Sequence, residues 1–158
     1  MGDSGERGAR VRFPPPLVYL GAILAGLAVG KWVAAAPVPI DRTLRITVGV
    51  LLAAAGVALA ASARIHFLRT GQNVIPWTPT PELIFQGPYR FTRNPMYVGM
   101  TLLTIGLGVA LNNLWMSLFA LPALLIVHAI AVLPEEQYLS EKFGDGYRTY
   151  LTRVRRYL

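Results

Sequence analysis

Two stretches of this chain leave little choice of fold. "LVYLGAILAGLAVGKWVAAA", residues 17–36, carries one charge, Lys31, near its end, and "LRITVGVLLAAAGVALAASA", residues 44–63, carries one, Arg45, near its start. Each is about 20 residues long, the length of one helical crossing of a bilayer. In hydrocarbon no water bonds the backbone, so a crossing segment must satisfy its own amides, and a helix does so within one segment. Two further apolar arms follow, Tyr97–Leu111 and Leu114–Leu133, parted only by Asn112 and Asn113. They read as a tight helical hairpin. Pro122 is expected to kink its second arm, and Pro134 to end that arm at or before Leu133. The expectation is an all-α integral membrane bundle of about four transmembrane helices.

The composition agrees. Hydrophobic residues make up 54% of the 158 residues and charged residues 15%, where a soluble domain carries roughly a quarter charged. One domain is expected. It divides into a loose Gly-, Arg- and Pro-rich tail over residues 1–16, a bundle over 17–133 that includes a polar loop at 71–96, and a C-terminal segment over 134–158. The second span is expected to run on to about Thr70, with Gly71 as its stop. Gly49, Ala53, Gly56 and Ala60 recur at spacings of three or four and suit close helix packing in lipid. The first span has a rival reading as a cleavable leader ending at "AAA", but Pro37 directly after it is a poor cleavage context.

Lysines and arginines set the orientation. Four spans put both termini on one side. Twelve basic residues then fall on that side, in the tail, the loop and the C-terminal segment, against Lys31, Arg42 and Arg45 on the other. This places the termini and the loop in the cytoplasm, in a multi-pass protein suited to a bacterial inner membrane. The formal charge of +7 is thereby explained by contact with anionic headgroups. No nucleic-acid motif accompanies it, and nucleic acid is not an expected partner. There is no cysteine, and His66 and His128 stand far apart, so no metal site is expected. His66 reads as a headgroup-facing residue, and His128 as a neutral histidine hydrogen-bonded inside the bundle. After a turn at Gly144–Gly146, Tyr147, Tyr150, Leu151, Val154 and Leu158 share one helical face, while Arg148, Arg153, Arg155 and Arg156 favour the other. That is the pattern of an interfacial helix with a lipid-facing basic stripe.

The loop ends in "GPYRFTRNPMYVG", Gly87–Gly99. Asn94 suits a helix N-cap and Pro95 a first helical residue. The third span would open there, with unpaired N–H groups and a positive dipole end that can hold an anion. Tyr89 and Tyr97 flank it with ring faces and hydroxyls, and Glu135 and Glu136 stand on the same membrane face. A ligand with a carboxylate, an ammonium, a sulfonium and an adenine would suit this mixture, the sulfonium lying by a tyrosine face. S-adenosyl-L-methionine has those groups, although many polar pockets offer the same residue types.

"GPYRFTRNPMYVG" followed by "EEQYLSEKFGDGYRTYL" resembles the isoprenylcysteine carboxyl methyltransferase family and the related phospholipid N-methyltransferases. Their shared pattern is G-x-Y-x-x-x-R-H-P-x-Y-x-G, then E-E-x-x-L-x-x-x-F-G-x-x-Y-x-x-Y. The resemblance covers about residues 70–154. It implies an integral membrane methyltransferase that uses S-adenosyl-L-methionine, bound between the cytoplasmic loop and the C-terminal segment. The family's cofactor residues carry over to Pro81, Glu82, Leu83 and Ile84, to Tyr89, to Asn94, Pro95, Met96 and Tyr97, and to Glu135. Arg93 and Glu136 are the candidates for catalytic work, Glu136 as a proton acceptor for an amine. Phe143 and Tyr147 are expected to close the pocket by packing. The chain departs from the pattern twice. Asn94 replaces the histidine before proline, and Ala131 stands where the prenylcysteine enzymes hold the substrate carboxylate with an arginine. The resemblance implies a lipophilic acceptor that would enter from the bilayer, with an amine lipid, a thiol or an isoprenoid acid all open. A phospholipid N-methyltransferase, or a non-catalytic membrane scaffold with the same fold, are the alternatives.

Overall fold

The computed structural model describes residues 9, 11, 13–71 and 82–158. Among these residues five α-helices follow one another: α1 (Pro15–Trp32), α2 (Arg42–Arg69), α3 (Pro95–Ala110), α4 (Leu114–Val127) and α5 (Leu133–Arg153). A 3-10 turn at Gly87–Arg90 precedes α3, and a π turn at His128–Val132 joins α4 to α5. Among the described residues there is no β-strand, only a single parallel bridge between Thr92 and Arg155. Among the described residues three helical stretches are long and apolar enough to cross a membrane: α1, α2 and the continuous Leu114–Arg153 run. The apolar helix α3 has 16 residues, which at about 1.5 Å per residue spans about 24 Å.

Each helix end has a local cause. Asp41 caps α2, its carboxylate accepting from the Thr43 and Leu44 amides at 2.8 and 3.1 Å. Pro95 opens α3, where a missing N–H costs nothing. The hairpin turns at Asn112, whose φ of 58° is in the left-handed region that asparagine tolerates. Asn113 caps α4 by accepting from the Met116 amide. Pro122 lies inside α4 without ending it.

Pro134 does not end the helical run, contrary to the sequence expectation. The π turn widens the helix just before it, with the Leu133 amide donating to the His128 carbonyl. Pro134 then falls in the first turn of α5, where a residue without an N–H is tolerated. The Gly144 turn is a sharp bend within α5, at φ 52° and ψ −124°. The interfacial helix also stops earlier than its apolar pattern suggests. Val154 is extended (φ −120°, ψ 130°), and residues 154–158 leave the helix as a short tail.

Helices α2 and α3 pack through their small residues. A Cβ added at Gly56 would sit 2.5 Å from the Gly99 carbonyl oxygen, and one added at Gly99 2.6 Å from the Gly56 oxygen. Gly106 lies against the backbone of Ala53 and Gly49. With no water to expel between lipid-bathed helices, such close approach is what dispersion attraction needs. Gly26 of α1 meets the backbone of Met116 in α4 in the same way.

The two ends of the bundle differ. At one end the α1–α2 link is tied to the α3–α4 hairpin. The Leu114 amide donates to the Ala36 carbonyl, the Trp115 indole to Ala34, and the Val38 amide to the Asn112 side chain. Arg45 donates to the last carbonyls of α3, Val109 and Ala110. At the other end Ala9, Val11, Tyr19, Tyr97, Ala123, Val127, Ala131 and Val132 form the buried cluster. Ala9 and Val11 belong to the tail that the sequence suggested was loose; these two apolar residues are covered by the cluster. The motif loop, the end of the π turn and the C-terminal tail all gather at this end.

Candidate functional site

The site is built outward from Gly87. Its φ is 59°, and the ring of His66, near the end of α2, fills the space a Cβ would need. His66 is thus half-buried beneath the motif, its Nδ1 paired with the Ser62 carbonyl at 2.7 Å, rather than facing headgroups. The turn after Gly87 buries Tyr89 against Phe67. The α5 helix closes over this turn: the Tyr150 hydroxyl donates to the Tyr89 carbonyl at 2.7 Å, and the Tyr150 ring meets Phe85 edge-on.

The next residues bond the C-terminal tail. The Arg93 amide donates to the Arg155 carbonyl at 2.9 Å. The Thr92 hydroxyl and the Asn94 side-chain amide both donate to the Arg156 carbonyl, at 3.1 and 3.0 Å. Asn94 occupies the N-cap position of α3, but its side chain makes no capping bond. It holds the tail instead, and Thr92 accepts from the Asn94 amide.

Two neighbouring glutamates then take different environments. Glu136 is gripped by two arginines: Arg93 Nη1 lies 2.8 Å from Oε1, and Arg156 donates through Nε and Nη2 at 3.0 and 2.8 Å. Arg93 also hydrogen-bonds the Tyr147 hydroxyl. Among the described residues no arginine pairs with Glu135. It accepts from the Tyr97 hydroxyl at 2.8 Å. Protein surrounds it closely enough that desolvation pushes its carboxyl from the ordinary 4.5 up to about 7; the Tyr97 bond opposes this shift and the Glu136 charge adds to it. The Tyr89 hydroxyl is pushed well above its ordinary value, first by burial and then by the nearby Glu135 and Tyr150.

Two buried polar atoms at this place have no partner among the described residues, the Tyr89 hydroxyl and Arg93 Nε. Buried polar groups are nearly always bonded, so an orphaned pair beside a desolvated carboxylate makes this a candidate position for a polar ligand. A hydroxyl, a guanidinium N–H, a carboxylate without a cation and a set of tyrosine faces match the charged groups of S-adenosyl-L-methionine in kind.

The sequence candidates fall into three groups. Tyr89, Arg93, Asn94, Pro95, Tyr97, Glu135 and Glu136 come together around the start of α3, with Met96 half-buried among them. Leu83 and Ile84 are half-buried and Glu82 exposed; the residue after them, Phe85, ties this stretch to Tyr150. Pro81 lies outside the described residues. Arg156, Thr92 and His66 were not expected at the site. Arg156 reads in sequence as one more arginine in a basic stripe, and nothing in "RVRRYL" separates it from its neighbours. His128, expected to be bonded inside the bundle, pairs with the Tyr157 hydroxyl at 2.9 Å through Nδ1.

The model of one protein family, phospholipid methyltransferase, matches residues 44–146. A protein of Haemophilus influenzae described only as uncharacterized is 35% identical over 63 residues, which is 40% of this chain and 100% of that protein. The matched region runs from the start of α2 through the motif, the hairpin and the bend of α5; α1, the last part of α5 with Tyr147 and Tyr150, and the tail lie outside it.

Proposed function

Because the chain belongs to the phospholipid methyltransferase family, we propose that it is a membrane enzyme that takes a methyl group from S-adenosyl-L-methionine and places it on a lipophilic acceptor. The observation that carries this reading is the join between α3 and α5. There Tyr97 meets Glu135 across 38 residues of sequence, beside the unpartnered Tyr89 hydroxyl and Arg93 Nε. The cofactor, when bound, supplies a methyl group already activated by the positive charge on sulfur.

The residues have the remaining work of binding and alignment. Glu135, as a carboxylate, receives the ammonium, with Tyr97 fixing its orientation. Arg93 Nε and the Tyr89 hydroxyl are the free donors for the ligand's acceptor groups. The tyrosine rings suit the sulfonium. Holding the methyl group in line with the acceptor, away from water, is the main contribution the protein has to make. Glu136 serves this reading as a clamp on Arg93 and Arg156; with its oxygens held by guanidiniums, it is not the proton acceptor.

The acceptor that fits best is an amine lipid. Ala131 is fully buried in the apolar cluster, so that position offers no cation to a substrate carboxylate. A neutral amine brings its own lone pair and needs no such cation. The loop and tail face the cytoplasm in this reading, and the acceptor enters sideways from the bilayer.

Calorimetry of S-adenosylhomocysteine on detergent-purified protein tests the cofactor. Micromolar binding is expected, lost in both Tyr97→Ala and Glu135→Ala. A folded wild type that does not bind would leave the scaffold reading in its place. Transfer of labelled methyl groups to phosphatidylethanolamine vesicles, against a prenylated cysteine acid, then tests the acceptor. Labelling of the acid alone would overturn the amine reading.

A further inference from the structure

The C-terminal tail lies outside the family match, and the sequence pattern assigns it to lipid. Its basic residues do not behave alike. The side chains of Arg153 and Arg155 are exposed, as lipid-facing residues would be. Arg156 turns inward. It makes two bonds to Glu136 and presents its carbonyl to both Thr92 and Asn94. Its side chain is 38% exposed, while the Glu136 and Arg93 side chains are 14% and 12% exposed. One residue thus closes the outer side of a charged pair whose inner side carries the unpartnered Arg93 Nε.

The neighbours extend the same contact. The Arg155 carbonyl accepts from the Arg93 amide, and Tyr157 pairs with His128 at the π turn. The tail carbonyls therefore satisfy the Arg93 amide, the Thr92 hydroxyl and the Asn94 side chain, and leave Arg93 Nε and the Tyr89 hydroxyl unpaired. The division is complementary: the groups the tail takes and the groups left over are different atoms of one wall.

We infer that Arg156 is a positioning residue for the site, and that the tail at 154–158 forms the site's outer wall by holding Glu136, Arg93 and Asn94 in place. The inference rests on the cofactor reading above. It commits the tail to act with the ligand rather than against it: a ligand bonded to Arg93 and Tyr89 tightens the tail, and a fixed tail holds Arg93 ready for the ligand.

Two measurements test it. The first compares S-adenosylhomocysteine affinity in Arg148→Ala, Arg153→Ala, Arg156→Ala and Arg156→Lys, each checked for folding by thermal melting. Arg156→Ala is expected to bind at least tenfold more weakly, with Arg156→Lys between it and wild type, while Arg148→Ala and Arg153→Ala, whose side chains are exposed, bind as wild type does. Equal loss in all three alanine variants would return Arg156 to the lipid stripe and overturn the inference. The second uses the wild-type protein and so survives any folding failure of the variants. Hydrogen exchange at the Arg93 amide, whose acceptor is the Arg155 carbonyl, is expected to slow at least fivefold when S-adenosylhomocysteine is added. Faster exchange would mean that the ligand displaces the tail, and unchanged exchange that the tail is indifferent to it; either overturns the inference while leaving the cofactor reading intact. A wild type that binds no S-adenosylhomocysteine overturns both.

Discussion

Glu135 and Glu136 are adjacent in sequence and opposite in circumstance, and the contrast makes each testable. Glu136 has two arginines, and Glu135 has a tyrosine and little water. With its carboxyl raised to about 7, the folded protein holds a proton there that the unfolded chain releases near 4.5. The sign follows from linkage: this residue's contribution to stability is full below about 4.5 and is lost as pH rises through about 7. The melting temperature of ligand-free protein is therefore expected to fall between pH 5 and 8 by more in wild type than in Glu135→Gln, with circular dichroism as the readout. Ligand binding carries the reverse sign. An ammonium pairs with the carboxylate form, so wild-type affinity for S-adenosylhomocysteine should rise with pH through about 7 and that rise should vanish in Glu135→Gln. Tyr97→Phe removes a bond that favours the charged form of Glu135. It should move the midpoint of this pH dependence upward and lower stability by about 1 kcal/mol.

Between elements, the α2–α3 contact sets the platform. The stretch from Gly49 to Ala60 was legible as a packing face because small residues recurred at helical spacing. Its partner was not, since Gly99 and Gly106 could have faced any neighbour. The mutual approach of Gly56 and Gly99 leaves no room for a side chain, so Gly56→Val is expected to destabilise the protein by about 1–3 kcal/mol, read as a lower melting temperature in detergent. Asp41→Ala, which removes the cap of α2, should cost about 1 kcal/mol without touching the site. The π turn at His128–Val132 had no sequence signal. Pro134 announced a helix end, and the structure instead widens one turn so that the helix continues and delivers Glu135 and Glu136 to the start of α3.

At the scale of the molecule, the bundle has a tied end and a functional end. The excess of basic residues supports the proposal that the functional end faces the cytoplasm, and the chain suits a direct test because it has no cysteine. A cysteine placed at Arg153 should react with an impermeant maleimide only after the membrane is opened, and one placed at Ala35 should react in intact cells. Labelling at the two positions in the reverse order would invert the topology.

The sequence by itself determined that the chain is a helical membrane bundle, because unbroken apolar runs of about 20 residues match a helical crossing, which bonds its backbone within one segment. It also marked the start of α3 and the Glu135–Glu136 pair as partners, through two linked motifs. Only the tertiary structure decided what each polar group meets. Asn94 holds a tail carbonyl instead of capping its helix, His66 lies under Gly87 instead of in headgroups, and Arg156 closes on Glu136, 20 residues away in sequence. The physical reason is range. Hydrophobic length and helix-start chemistry are local and can be read along the chain, whereas the partner of a buried charge is chosen by whichever side chain the packed helices bring within about 3 Å.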